Sequence, residues 1–357
     1  MADHTLPALT DLLEQSQELE PQACHAAARL LADEGVEPDE KKAFLVALQR
    51  KGESPAEVAA IAAAFREMAR DPGPVLRQKA EDAIDFVGTG GDGSGAFNIS
   101  TTVSFFLAAA GVTVLKHGNR GATSPSGSAD LLEAVGFPIP AGPPVMEQLI
   151  RQTHFAFFFA PAFHPAFKSI VPVRKELAAE KQRTVFNILG PLINPARPAL
   201  QVLGVFNPDW VEPMAGVLER LELRRGLVLH GQPDDGGGLD KASCAGPTLV
   251  RGVGELSDVR LTLEPEAAGF ARCSMDDLKG GDAAANLKRL QALLAGKANR
   301  GLTDSVLLNA GLGFWAAGKA DSLEAGVTLA RTVLKEGAVS GWLAETRRFL
   351  KTLEPEA

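Results

Sequence analysis

Cysteine is scarce in this sequence of 357 residues: Cys24, Cys244 and Cys273 stand far apart and form no Cys-x-x-Cys pair. That excludes a zinc ribbon and a disulfide framework, and it fits a reducing, cytoplasmic setting. Long apolar runs are missing too. The longest, Val103 to Leu115, is too short for a bilayer and stops at Lys116. No basic stretch leads into an apolar core at the N-terminus, so no signal peptide and no membrane association are expected. Positive charge is in deficit, with 36 Lys and Arg against 44 Asp and Glu and a formal net charge of −8. A protein that coats nucleic acid needs a basic face, so no nucleic-acid partner is expected. What remains is a globular chain, 45% hydrophobic and 22% charged, long enough for one large or two modest domains.

Residues 6–70 carry apolar residues at helical spacing: Leu6, Leu9, Leu12 and Leu13, then Phe44, Leu45 and Leu48, then Val58, Ile61, Ala62 and Phe65. Ser54-Pro55 reads as a helix start. Asp71-Pro72-Gly73-Pro74 is the clearest breaker and marks a boundary. Beyond it the pattern changes. Ala83–Val87 reads as a buried strand running into glycines, Thr101–Ala110 as a helix closed by Gly111, and Val112–Leu115 as a second strand. That order is a βαβ unit and implies a mainly parallel sheet. Phe155–Phe159 and Leu227–Leu229 are further strand candidates, and Ala283–Leu353 reads as helical with a turn at Gly301–Asp304. The expected architecture is α/β: a small all-helical domain over residues 1–72, completed by helices from about 145–185, and a larger domain over 80–357 with a mainly parallel central sheet flanked by helices.

Gly88-Thr89-Gly90-Gly91-Asp92-Gly93-Ser94-Gly95 follows the first strand and contains a GxGxxG pattern. A dinucleotide fold would place an acid at the end of the next strand to hold a ribose hydroxyl. Here that strand ends in Lys116-His117. A backbone nest for an anion fits better, with glycines that let successive N–H groups point inward. Asn98-Ile99-Ser100-Thr101 then opens a helix whose N-terminus faces the same anion. The second loop, Lys116-His117-Gly118-Asn119-Arg120-Gly121 with Ala122 to Ser128, adds two fixed cations, an amide and several hydroxyls. Strand ends of a parallel sheet share one crevice, so both loops should face one phosphate-rich ligand.

FVGTGGDGSGAFNISTT followed by KHGNRGATSPSGSADLLEAVG, with HPAFKSIVPVRKEL and RTVFNILGPLINPARP, resembles the anthranilate phosphoribosyltransferase family over about nine-tenths of the chain. The related pyrimidine nucleoside phosphorylases carry different glycine and lysine motifs. The resemblance implies transfer of a phosphoribosyl group from 5-phosphoribosyl 1-diphosphate (PRPP) to anthranilate, a homodimer through the helical domain, and Mg2+ as cofactor. It places Gly88, Gly91, Asp92, Asn98, Ser100 and Thr101 against PRPP, together with Lys116, His117, Gly118, Asn119, Arg120, Gly121, Ala122, Thr123, Ser124 and Ser128. Gly88, Asn119, His164 and Arg174 would meet anthranilate, and Ser100 and Asp240 would hold magnesium. No residue is implied as a catalytic base, because an arylamine is already nucleophilic when neutral at pH 7.

Three departures stand out. The family pattern pairs an aspartate with a glutamate on magnesium, whereas here Asp240 is followed by Lys241. An ammonium does not suit a shell that prefers oxygen. Three outcomes stay open: Asp234 or Asp235 replaces the missing carboxylate, metal binding weakens, or Lys241 takes over the diphosphate contact. The segment Glu176–Thr184 is also about three residues longer than the usual turn, which could reshape the acceptor pocket. Ala96 stands where threonine is common. These changes leave room for a paralogue that uses another aromatic amine or acts as a nucleoside phosphorylase. A non-catalytic binder of phosphate or nucleic acid ranks below both, since the glycine motif is intact and the chain is acidic.

Overall fold

The computed structural model describes residues 5–121 and 125–353. Four helices come first: α1 (Leu6–Glu14), α2 (Pro21–Ala32), α3 (Pro38–Lys51) and α4 (Pro55–Glu67). Proline in the first turn of each supplies a preset φ where no intrahelical N–H bond is needed. The expected start at Ser54 is a reciprocal cap. Its hydroxyl accepts from Glu57 N at 3.1 Å, and the Glu57 carboxylate accepts from Ser54 N at 2.9 Å.

The second layer is a seven-stranded sheet of order β3-β2-β1-β4-β5-β6-β7. The strands are β1 (Ile84–Gly88), β2 (Val114–Gly118), β3 (Phe155–Phe159), β4 (Leu200–Gly204), β5 (Arg225–Gly231), β6 (Thr248–Gly254) and β7 (Arg260–Leu263). β1 to β5 pair in parallel, and β6 and β7 join antiparallel at one edge. Alternate residues feed two cores. Ile84, Phe86, Leu200, Val202, Leu227 and Leu229 pack with the helices Ile99–Ala109 and Arg300–Ala316. Val87, Leu203 and Val228 pack on the other face with α1–α4. Burial on both faces explains the mainly apolar make-up of these strands, interrupted by the buried Asp85 in β1 and Gln201 in β4.

Several expectations change. β2 extends to Gly118, so Lys116 and His117 lie inside a buried strand, paired in register with Phe157 and Phe158, rather than in a loop. Gly301–Asp304 is no turn but the first turn of Arg300–Ala316, because the Asn299 side chain caps Leu302 N at 2.7 Å. The 145–185 stretch divides. The helix Val171–Ala179 packs on α3 and the 3-10 turn Pro165–Ile170 on α2, while Pro143–Thr153 packs on β3.

One buried ion pair ties the helical layer together. The Glu57 carboxylate, wholly buried, accepts from Lys51 Nζ at 2.7 Å and from Leu19 N at 3.0 Å. Removing one partner strands the other charge in a dry environment. Glu57→Ala is therefore expected to lower stability by about 3 kcal/mol, read as a shift of the urea midpoint. A midpoint equal to the parent's would show that the pair contributes nothing.

Candidate functional site

The carboxyl ends of β1, β2 and β4 open into a cleft of about 370 Å³. Its first wall is the glycine loop. Gly90, Gly91, Gly93 and Gly95 take φ of +68°, +72°, +68° and +59°, the left-handed region that a side chain would strain. The loop is pinned along its length. Gly90 N donates to Asp240 Oδ2 at 2.7 Å, Arg183 Nη2 donates to Gly91 O at 3.2 Å, and Gly280 N donates to Gly95 O at 2.8 Å. The helix Ile99–Ala109 leaves the loop with Asn98 and Ser100 lining the cleft. Thr101, expected to line it, is wholly buried on the core side of that helix, and its hydroxyl has no hydrogen-bond partner among the described residues.

The second wall carries Gly118, Asn119, Arg120, Gly121 and Ser128. Ala122, Thr123 and Ser124 lie outside the described residues. Arg120 is not a free cation here. Its guanidinium forks onto Glu133 at 2.5 and 2.7 Å and reaches Asp130 at 3.1 Å. Lys116 lies at the floor, 1% exposed, and its ammonium donates to Phe86 O at 2.6 Å. Burial draws the Lys116 pKa down, while Asp85 and Asp240 pull it back. His117 reaches the cleft with its Nδ1 against Gly190 O at 3.0 Å. His164 does not reach it. It stands behind His117, the ring centroids 5.1 Å apart, and packs edge-on against Phe167. Direct contact with an aromatic acid is therefore not its role in this geometry.

The floor between β1 and β4 is closed by a returning segment, 239–241. Gly88 and Gly204 are paired in register, and a Cβ on either would collide with Asp240. Lys241 bridges two carboxylates there: Nζ donates to Asp92 Oδ2 at 2.7 Å and also pairs with Asp240 Oδ1. Burial pushes the Asp92 carboxyl up, but the charge and hydrogen bond of Lys241 outweigh it and hold the group below the usual range. Asp240 goes the other way, raised by burial more than Lys241 lowers it. Asp234 and Asp235 do not replace the missing carboxylate. Both are exposed and outside the cleft lining, and Asp234 faces Arg272 at 3.6 Å. Among the described residues no three His, Cys, Asp or Glu side chains converge on a point. The residues at Asp240 thus do not suit a protein-held magnesium, because an ammonium already occupies both carboxylates. Ser100 remains as a neutral oxygen beside the glycine loop.

The third wall belongs to the helical layer. Arg174 lines the cleft half-buried, stacked on Phe186 at 5.3 Å, with no carboxylate partner among the described residues. Burial lowers its pKa, which measures how poorly that charge is solvated. Arg183, Phe186, Asn187 and Phe206 also line it and escaped the sequence reading. Arg183 lies flat over Phe206 at 3.7 Å. The sequence signal was the Arg-Thr-x-Phe-Asn run itself, a cation three residues ahead of an aromatic and an amide. The long 176–184 turn docks outward, with Glu176 and Glu180 on Lys42 of α3 at 2.5 and 2.8 Å, so only Arg183 of it shapes the cleft.

Residues 80–340 match the family model of the glycosyl transferase family, a/b domain, and residues 6–69 match its helical bundle domain. An anthranilate phosphoribosyltransferase of Thermus thermophilus is 45% identical over 336 residues, 93% of this chain and 96% of that protein. A crystal structure of the enzyme from Thermus thermophilus superposes with a TM-score of 0.87 at 43% identity, covering 96% of this chain and 99% of that one. The Saccharomyces cerevisiae enzyme, solved in complex with PRPP and Mg, shares the fold at a TM-score of 0.83 and 23% identity, each chain covered to 99%.

The paired histidines predict acid sensitivity. Burial, with His164 as neighbour, pushes the His117 pKa down to about 3, and burial pushes His164 down to about 4. An unfolded histidine protonates near 6.5, so the unfolded chain takes up protons first. Their contribution is full above about pH 6.5 and is lost as pH falls toward 4. Asp85 opposes this, its carboxyl pushed up to about 6 by burial, so its contribution is lost as pH rises from about 4 to 6. Asp240, raised by burial as well, works in the direction of Asp85, so the histidines' share of any fall in melting temperature from pH 7 to pH 5 is read by removing one of them. His164→Gln should flatten that fall, and an unchanged slope would refute the assignment.

Proposed function

The chain belongs to the anthranilate phosphoribosyltransferase family, and we propose that its cleft transfers the phosphoribosyl group of PRPP to the amine of anthranilate, releasing diphosphate. The observation that carries this reading is that one cleft is lined both by the positive-φ glycine loop, suited to an anion, and by Arg174, a half-buried guanidinium stacked on Phe186 with no carboxylate partner among the described residues.

The chemistry follows from charge. As the C1–O bond to diphosphate lengthens, C1 gains oxocarbenium character and the leaving group gathers negative charge. The glycine-loop N–H groups not already bonded to Asp240 and Asp92, with the N-terminus of Ile99–Ala109, meet that charge with dipoles already in place, so little reorganisation is needed. Magnesium carried on the phosphates of PRPP belongs to the substrate and offsets part of their charge. The Arg174 guanidinium matches a carboxylate in a planar fork and turns the neutral amine toward C1. Nitrogen donates its lone pair to C1, the C1–O pair leaves with diphosphate, and the arylammonium releases its proton to water. Asn119 and the edge of Gly88 complete the acceptor side. Family membership further supports a homodimer working in the cytoplasm. No helix among the described residues is long and apolar enough to cross a membrane.

The test is loss of anthranilate fluorescence on mixing protein, PRPP and magnesium. Arg174→Ala should raise KM for anthranilate roughly 30- to 150-fold, the cost of a charge-assisted fork, with little change in KM for PRPP. An effect confined to PRPP would place Arg174 on the wrong substrate. No fluorescence loss despite PRPP binding would move the acceptor to another aromatic amine.

A further inference from the structure

We propose that Lys241 is a resident cation of the phosphate cleft. Its ammonium does for Asp92 and Asp240 what a divalent ion between two carboxylates would do, so the free protein orders its glycine loop without binding magnesium there. The inference deepens the phosphoribosyl-transfer reading and rests on it for the identity of the diphosphate.

Geometry carries the argument. The Lys241, Asp92 and Asp240 side chains are only 12, 11 and 9% exposed, and Nζ contacts both carboxylates. Two buried carboxylates this close repel each other unless a cation lies between them. Each carboxylate also holds the loop: Asp240 Oδ2 accepts from Gly90 N at 2.7 Å, and Asp92 Oδ1 accepts from Ser94 N and Oγ at 3.0 and 2.8 Å. The result is a clamp, Gly90–Asp240–Lys241–Asp92–Ser94, that fixes both limbs of the glycine loop to the returning segment. A magnesium ion at these carboxylates would have to expel the ammonium from both.

Lysine has three N–H donors. Two are used, and the third has no protein partner among the described residues, on a side chain that lines the cleft beside the loop. That donor suits a diphosphate oxygen. Lys241 thereby acts as a positioning residue for the loop and a direct contact for the leaving group, and magnesium enters only on the substrate.

Two measurements test this. First, MgCl2 alone is titrated by calorimetry into the parent protein and into Lys241→Glu. The parent should stay silent across the millimolar range, and the variant, with a carboxylate in place of the ammonium, should bind saturably. Saturable binding to the parent, or silence in a folded variant, overturns the proposal. Second, PRPP dissociation constants are measured for the parent and Lys241→Met over a magnesium series. Lys241→Met should bind PRPP on the order of 10- to 100-fold more weakly at low magnesium. That ratio should shrink as magnesium rises, because the ion can now occupy the freed carboxylates. A lysine with a merely structural role would give a ratio that ignores magnesium, and that result also overturns the proposal. If neither protein binds PRPP, the phosphoribosyl-transfer reading fails, while the metal-only titration still decides the role of Lys241.

Discussion

The return of the chain across the ends of β1 and β4 is the constraint on which the cleft depends. Residues 239–241 pass so near Gly88 and Gly204 that no side chain fits at either strand end. That close pass brings Asp240 under the glycine loop and Lys241 beside Asp92. Without it Gly90 would lose its fixed partner, and the loop, whose glycines are free to take many shapes, would be held only by Arg183 at Gly91 and Gly280 at Gly95. The sheet supplies the platform, and the return segment supplies the shape of the anion site.

Charge in this cleft is arranged by burial as much as by pairing. Lys116 and Lys241 stand with Asp85, Asp92 and Asp240 on one floor, nearly balanced in sign. Arg120 has its charge met by Glu133 on its own wall. Arg183 is spent on the Phe206 ring and the Gly91 carbonyl. Arg174 is left with a ring beneath it and no carboxylate partner among the described residues, lining the same cleft as the glycine loop. A ligand with a carboxylate at one end and phosphates reaching the other is complementary to that layout.

Much of this was legible in the residues. Helical periodicity located α1, α3 and α4, because each buries one stripe against a neighbour and the stripe survives in the sequence, while the alanine-rich α2 was covered only by the general helical reading of 6–70. Phe155–Phe159 was legible as a strand from its apolar, aromatic run, and the glycine loop from its composition. β4, β6 and β7 were not, since short strands lack a period long enough to separate from loop. Gly301 misled for a different reason: glycine usually punctuates, but here it opens a helix where Cys273 and Asp277 press close. Thr101 and His164 were placed by motif position. Motif position gives proximity along the chain, not which way a side chain turns. The partners of Lys241 were invisible for the same reason, as Asp92 lies 149 residues away.

The two cores described for the sheet divide the reaction between them. Phe97 and Ile99, which follow the glycine loop, are rooted in the core shared with Ile99–Ala109 and Arg300–Ala316. Val173 and Leu177, which flank Arg174, are rooted in the core shared with α1–α4. The far limb of the glycine loop and Arg174 therefore answer to separate packing problems, while Val87 ties the near limb to the core of Arg174. With Arg174 in its proposed role, a void opened among α2, α4 and Val173 would tilt the guanidinium and spoil the amine's approach more than diphosphate recognition. A void behind Ile99 would do the reverse. Since a misplacement of about 1 Å can cost on the order of 100-fold in rate, remote apolar residues in this protein sort into two groups by the reactant they align.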